Sequence, residues 1–263
     1  MGGCDAQIFF PGGLIMMRRF LMVAVCACGV PLALYANDDG RDLVRKSMAL
    51  AQPQTAKFRY KMLVFRGEKV LEQHFDQYVK RNPDRENKMR ITFTHPARLE
   101  LLSHAHKNRD DDQWLKMSAG NVKRIVGTDL DKPFANSNLY FEDLKELNVD
   151  DYDFLHRGTV KAVGEECHKI EAIKKRGTVV YSKLVLYLRT YDQYIVRIDY
   201  YLKDEFHKYL ERINVKPVGN YLTPYRIIMY RADGRGKTEL KLAGNPEYDV
   251  PIADAFFITE KFR

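Results

Sequence analysis

The sequence is short of cysteine: it has four in 263 residues, at positions 4, 26, 28 and 167. A domain built from the chain beyond its first few dozen residues therefore has no internal disulfide and must be held by its own apolar core, for which its length is ample. No apolar run reaches the about 20 residues that a membrane-spanning helix needs; the longest, Phe20 to Leu34, stops short. There is no Gly-x-Ser-x-Gly elbow, no His-Glu-x-x-His and no Gly-rich phosphate loop, which removes the commonest hydrolase, zinc-protease and nucleotide-binding readings. Internal repeats and low-complexity linkers are also missing, so residues 37–263 read as one domain.

What is present begins with an export signal. Met16-Met17-Arg18-Arg19 precedes the apolar run, and Leu34-Tyr35-Ala36 ends it, the order of a basic, an apolar and a cleavage region. Residues 1–36 are thus expected to be a signal peptide, with residues 1–15 an over-extended start. Val25-Cys26-Ala27-Cys28 is a loose lipobox, so either cleavage follows Ala36 or Cys28 is acylated and tethers the protein to a membrane. Export to the periplasm excludes nucleic acid as a partner. The formal net charge of +8 instead favours an anionic membrane face or an acidic protein.

Asn37 to Gln52 reads as a helix, with Leu43, Val44, Ser47, Met48 and Ala51 on one face and Pro53 stopping it. From Thr55 the period becomes two, and Phe58, Tyr60, Met62 and Val64 share a side. Further strands are expected at Val70–Lys80, Met89–Thr94, Leu99–Ser103, Gln113–Met117, Val122–Val126, Tyr152–Val163, Cys167–Lys174, Val179–Arg189, Tyr194–Leu202 and His207–Val215. A hairpin follows, with Tyr225, Ile227 and Met229 on one strand, an Asp-Gly-Arg-Gly turn at 233–236, and Thr238, Leu240 and Leu242 returning. So many directly connected strands imply one large antiparallel sheet, which must curl and leave a concave face needing cover. Three segments can supply it: the first helix, a second helix at Asn138–Leu147 with Tyr140, Leu144 and Leu147 on one face, and Ile252–Phe262.

Several motifs carry a resemblance. Phe93-Thr94-His95-Pro96, Asp111-Asp112-Gln113-Trp114-Leu115, Val122-Lys123-Arg124-Ile125, Phe134-Ala135-Asn136-Ser137, Tyr140-Phe141-Glu142-Asp143-Leu144 and the closing hairpin occur in an order and spacing that resemble those of bacterial outer-membrane lipoprotein-sorting proteins. These belong to the superfamily of the periplasmic lipoprotein carriers LolA and LolB. The chain departs from the pattern in lacking Gly after Pro96, in having Lys116 for Tyr and in having Asn136 for Gly. The resemblance implies a mainly β, unclosed half-barrel under a lid and a non-enzymatic, cofactor-free carrier of lipid or lipoprotein acyl chains. It further implies a monomer served by an inner-membrane transporter, with an outer-membrane surface as destination. A lipid sensor and a structural envelope lipoprotein are the alternatives.

On periodicity alone the apolar rows are a filled core. The resemblance instead implies a cavity lined by Phe58, Tyr60, Met62, Val64, Val196, Ile198, Tyr200, Tyr225, Ile227, Met229 and Leu240, with Trp114 under the lid or at its mouth. Leu43, Val44, Met48, Tyr140, Leu144 and Leu147 would then form the lid. His104 and His106, with Asp110, Asp111 and Asp112 nearby, can be read as metal ligands or as a strand end with a solvated turn. Cys167 reads as a packed strand residue, and Glu165-Glu166 beside His168 as a turn.

Overall fold

The computed structural model describes residues 38–83, 86–96, 98–175 and 180–262. The expected signal peptide, Cys28, the Asn37 cap, Asp84-Arg85 of the expected turn and the start of the Val179 strand lie outside the described residues. Among those described, no helix is long and apolar enough to cross a membrane.

The chain opens with a helix, α1 (Asp38–Met48), followed by β1 (Thr55–Arg66), β2 (Lys69–Lys80), β3 (Lys88–His95), β4 (Glu100–His104), β5 (Asp112–Lys116) and β6 (Val122–Ile125). A stretch of short 3-10 turns runs from Gly127 to Asp151. Then come β7 (Tyr152–Ala162), β8 (Glu165–Lys174), β9 (Lys183–Arg189), β10 (Ile195–Leu202), β11 (Glu205–Val218), β12 (Tyr221–Arg231), β13 (Gly236–Leu242) and β14 (Glu247–Tyr248), ending in a four-residue helix, α2 (Thr259–Phe262). The strands form one sheet in the order β6-β5-β4-β3-β2-β1-β13-β12-β11-β10-β9-β8-β7, with β14 beside β1, and every pairing is antiparallel. The edge strands β6 and β7 do not meet. The expected open half-barrel is what the chain forms.

The alternation that marked the strands sets the faces. Tyr60, Met62 and Val64 point to the concave side, and their cross-strand partners Leu242, Leu240 and Thr238 continue the rows into β13. The concave side holds the large apolar clusters. Helix α1 lies against β7 and β9, burying Leu43 and Val44. Gly40 permits this approach, because a β-carbon there would lie 3.1 Å from the backbone nitrogen of His156. Arg41 pins the helix by donating from Nη2 to the Tyr152 carbonyl at 2.9 Å.

Two expected covers turn out differently. Asn138–Leu147 has Tyr140, Leu144 and Leu147 inward but only a single 3-10 turn at Glu142–Leu144, because the sheet's own side chains satisfy its backbone. Asn138 N–H donates to Thr238 Oγ1 at 2.8 Å, Gln73 Nε2 to the Ala135 carbonyl at 2.8 Å, and Gln113 Nε2 to the Phe141 carbonyl at 3.2 Å. A helix over Asn138–Leu147 would draw the Phe141 carbonyl into its own ladder, whereas the Asn138 N–H, in its first turn, and the Ala135 carbonyl, outside it, anchor the stretch to the sheet in either case. The closing segment Ile252–Phe262 packs on the convex face instead, where Phe257 and Phe262 bury against Leu102. The first helix ends at Met48, short of Gln52, and Glu165-Glu166 start β8 rather than forming a turn.

Candidate functional site

The concave face divides along its length. Over the end of the sheet near Gly236, Leu130, Phe134 and Phe141 descend from the covering stretch among Met62, Val64, Phe75, Phe93 and Leu101 and fill the space. Over the opposite end a groove of about 540 Å³ remains, a size that suits small ligands. Its floor is Ala56, Phe58 and Tyr60 of β1, Gln77 and Val79 of β2, Leu184 and Leu186 of β9, Ile195, Ile198 and Tyr200 of β10, Leu210 and Arg212 of β11, and Leu222 and Pro224 of β12. Met48 to Pro53 wall one side, and Glu142 to Asn148 the other.

Of the residues expected along a cavity, Phe58, Tyr60, Ile198 and Tyr200 line this groove, whereas Met62, Val64, Ile227, Met229 and Leu240 pack in the apolar clusters beside it. Val196 is on the other face, against Ala162 and Cys167. A β-bulge between Ile195 and Arg197 reverses the alternation there and turns Ile195 into the groove in its place. Trp114 is also on the convex side, paired with Leu102 and edge-on to His104, since its neighbours Gln113 and Leu115 take the concave positions. Tyr225 misses the groove and bonds Asn245 Oδ1 at 2.9 Å. Opposite it, Asn214 has a left-handed backbone (φ 55°), and Pro224 rather than Tyr225 faces inward. Of the expected lid residues, Met48 and Leu147 line the groove, while Leu43, Val44, Tyr140 and Leu144 hold their segments down.

His104 and His106 do not converge. One meets the Phe257 carbonyl at 2.7 Å and the other Asp112 Oδ2 at 3.0 Å. Among the described residues, no group of three or more His, Cys, Asp or Glu is arranged to hold a metal ion. Cys167 is fully buried on the convex side, and burial pushes its thiol up to about 11, away from nucleophilic use.

A buried ion pair ties the cover to the sheet. Lys208 of β11 donates from Nζ to Asp143 Oδ2 at 2.6 Å and to the Asn138 carbonyl at 3.1 Å, with its side chain 2% exposed and that of Asp143 0%. Tyr181 donates to the other carboxylate oxygen at 2.7 Å, and the Tyr140 ring lies 3.4 Å from the ammonium. Burial pulls the Lys208 pKa down, and Asp143 opposes that pull. A register shift between β10 and β11 lets His207 join the group, its Nε2 2.9 Å from the Tyr140 hydroxyl. Sequence reading missed this pair; the available signal was a Lys sharing strand parity with Leu210.

The groove's other cations are paired at its mouth: Arg81 with Glu146 at 2.9 Å, Lys145 with Glu142 at 3.1 Å, Lys174 with Asp151 at 3.4 Å and Arg109 with Asp112 at 2.8 Å. Arg212, on the floor, donates from Nη1 to the Ile195 carbonyl at 2.8 Å. The Tyr194 ring lies 6.0 Å from its guanidinium, and the phenols of Tyr60, Tyr194 and Tyr200, which line the same groove, are raised by burial and held back in part by its charge. The site offers a largely apolar floor, with Arg212 and tyrosine hydroxyls on it, beneath a rim of paired charges.

Comparison with known proteins follows this architecture. A protein-family model described as "-like: Uncharacterized protein" matches residues 85–263. No curated protein matches the sequence. Among solved structures, a DUF1329 family protein from Desulfovibrio piger superposes with a TM-score of 0.81 at 27% identity, covering 87% of this chain and 99% of that one. A domain from Vibrio parahaemolyticus named for outer membrane lipoprotein sorting gives 0.80 at 21%, over 86% and 98% of the two chains. A LolA superfamily protein from Nitrosomonas europaea gives 0.66 at 15%, over 84% and 98%.

Proposed function

Because the chain belongs to the family whose model spans residues 85–263 and has the half-barrel fold of the LolA superfamily, we propose that its groove carries the acyl chain of a lipid or lipoprotein across the cell envelope. The supporting observation is the open half of the concave face, where Phe58, Leu186 and Ile198 line a groove that the covering stretch leaves unfilled. Each buried CH₂ contributes about 0.8 kcal/mol, so a 14-carbon tail gains roughly 10 kcal/mol there. A bilayer offers the tail much the same gain. Transfer between protein and membrane is then nearly balanced, and the protein supplies a dry passage rather than a chemical step.

In this reading the protein is exported, takes its cargo from an inner-membrane transporter and delivers it to or from the outer membrane. The test is organic extraction of full-length protein purified from its own envelope, followed by mass spectrometry, with titration of a fluorescent fatty acid alongside. Co-purifying lipid and saturable binding are expected. Protein that carries no lipid and binds no acyl probe would return the groove to a gap in a structural protein.

A further inference from the structure

We infer that the groove recognises an oxyanion at the head of its acyl cargo, with Arg212 as the cationic anchor and the hydroxyls of Tyr60, Tyr194 and Tyr200 as accompanying donors. This rests on the acyl-binding reading above and narrows it to an anionic amphiphile, a fatty acid or a phosphate-bearing lipid.

The argument starts on one strand. Lys208, Leu210 and Arg212 alternate along β11 and face the concave side together, so the sheet places two cations four residues apart on the same apolar surface. A charge in such surroundings is ordinarily neutralised by a partner. For Lys208 the fold supplies one, Asp143, together with a carbonyl and aromatic faces. For Arg212 it supplies one carbonyl, that of Ile195, and the face of Tyr194 at 6.0 Å, but among the described residues no carboxylate lies within 4.0 Å. Each of the other Lys and Arg side chains lining the groove has such a carboxylate.

The tyrosines repeat the imbalance. Tyr181 and Tyr187 spend their hydroxyls on Asp143 and Asp199, and Tyr221 on Asp249. Tyr60, Tyr194 and Tyr200, which line the groove and feel the Arg212 charge, make no hydroxyl hydrogen bond among the described residues. A guanidinium and three phenols thus line one groove, and among the described residues only one of their donors, an Arg212 N–H, is taken by a protein acceptor, the Ile195 carbonyl. A guanidinium has a planar fork matched to carboxylate and phosphate oxygens. With the head group there, the chain would lie along Phe58, Leu186 and Ile198. Fatty acids and phospholipids carry such an oxyanion; the acyl groups linked to a lipoprotein's terminal cysteine do not.

The test is calorimetric titration of the full chain with three ligands of one chain length: dodecanoate, dodecyl phosphate and dodecanol. Wild type should bind at least one of the two anions ten-fold or more tighter than the alcohol, and the tighter anion identifies the head group. Acetate and inorganic phosphate should compete only weakly, because they lack the chain. Arg212→Gln should bring the anion's affinity close to that of the alcohol, and Arg212→Lys should recover part of the preference. Tyr60→Phe, which deletes an oxygen and keeps the ring, should lower it a few-fold and serves if Arg212→Gln fails to keep its thermal midpoint. Equal wild-type affinity for all three ligands, or a preference that survives Arg212→Gln, overturns the inference and leaves the acyl-binding reading standing. If none of the three binds, both fall.

Discussion

At one end of the concave face Phe134 and Phe141 reach down between Met62, Val64 and Phe93, whereas at the other Phe58, Leu186 and Ile198 face a groove. Both ends carry the same period-two apolar rows, so the rows alone do not distinguish core from cavity. The covering stretch makes the difference. It offers bulky apolar groups up to Phe141 and then turns charged, with Glu142, Asp143, Lys145 and Glu146 in succession. Apolar side chains can enter the sheet's hollow, and the charged ones stop at its rim. Only Asp143 goes in, and Lys208 meets it there.

That difference can be broken from either side. The largest effect should come from Asp143→Ala, which strands the Lys208 ammonium in an apolar site; the expected loss is about 3–5 kcal/mol, read from urea unfolding. Adding Lys208→Met to that variant should recover most of it. An Asp143→Ala protein as stable as wild type would mean that the pair does not hold the cover.

Next in size is added bulk. Val64→Phe in the filled half should cost about 1–3 kcal/mol, whereas Ile198→Phe should leave the thermal midpoint in place and weaken binding of a fluorescent fatty acid. Similar destabilisation by both would show that the groove closes up in solution. Thr238→Val removes the acceptor for the Asn138 N–H and should cost about 1 kcal/mol, with faster amide exchange confined to the covering stretch.

The smallest effect is a pH slope. His104, His168 and His207 are all held below the ordinary imidazole value of 6.5, chiefly by burial. The unfolded chain therefore binds more protons just below that value, and stability is present in full above about pH 6.5 and declines as the pH falls towards the folded values. Around His207, Lys208 and Arg231 push its pKa down, and Asp143 and Asp233 oppose them. His207→Gln should flatten the slope measured between pH 7.5 and 5.5; an unchanged slope would assign it to the other two.

Much of the fold was legible in the sequence because a half-buried strand must alternate, and Thr55–Arg66 or Tyr221–Arg231 do so over many residues. What alternation cannot see is a point where it slips. Val196 was assigned to the wrong face because one extra residue in β10 reverses the sides, and Tyr225 because Asn214 leaves extended geometry opposite it. The Asn138–Leu147 helix was expected from spacing that is real, since Tyr140, Leu144 and Leu147 do point inward. The missing information was that Gln113, distant in sequence, would capture the Phe141 carbonyl that a helix needs, while Thr238 holds the Asn138 N–H against the sheet. Trp114 sits in too short a strand for its parity to be read without knowing that Phe257 and Phe262 cover the other face. Arg212 was not singled out, although it shares the parity of Leu210.

The two edge strands that never meet have a mechanical meaning. In a closed barrel the bore can widen only by tearing a ladder of backbone hydrogen bonds. Here no ladder joins β6 to β7, and among the described residues a change of curvature is opposed instead by the contacts of helix α1 and of the stretch lying across the hollow. The edges are also poor templates for a second copy: β6 is four residues long and carries Lys123 and Arg124, and β7 is broken by a bulge between His156 and Thr159. The sheet thus behaves as a leaf spring with guarded rims, its tension set by what lies across it.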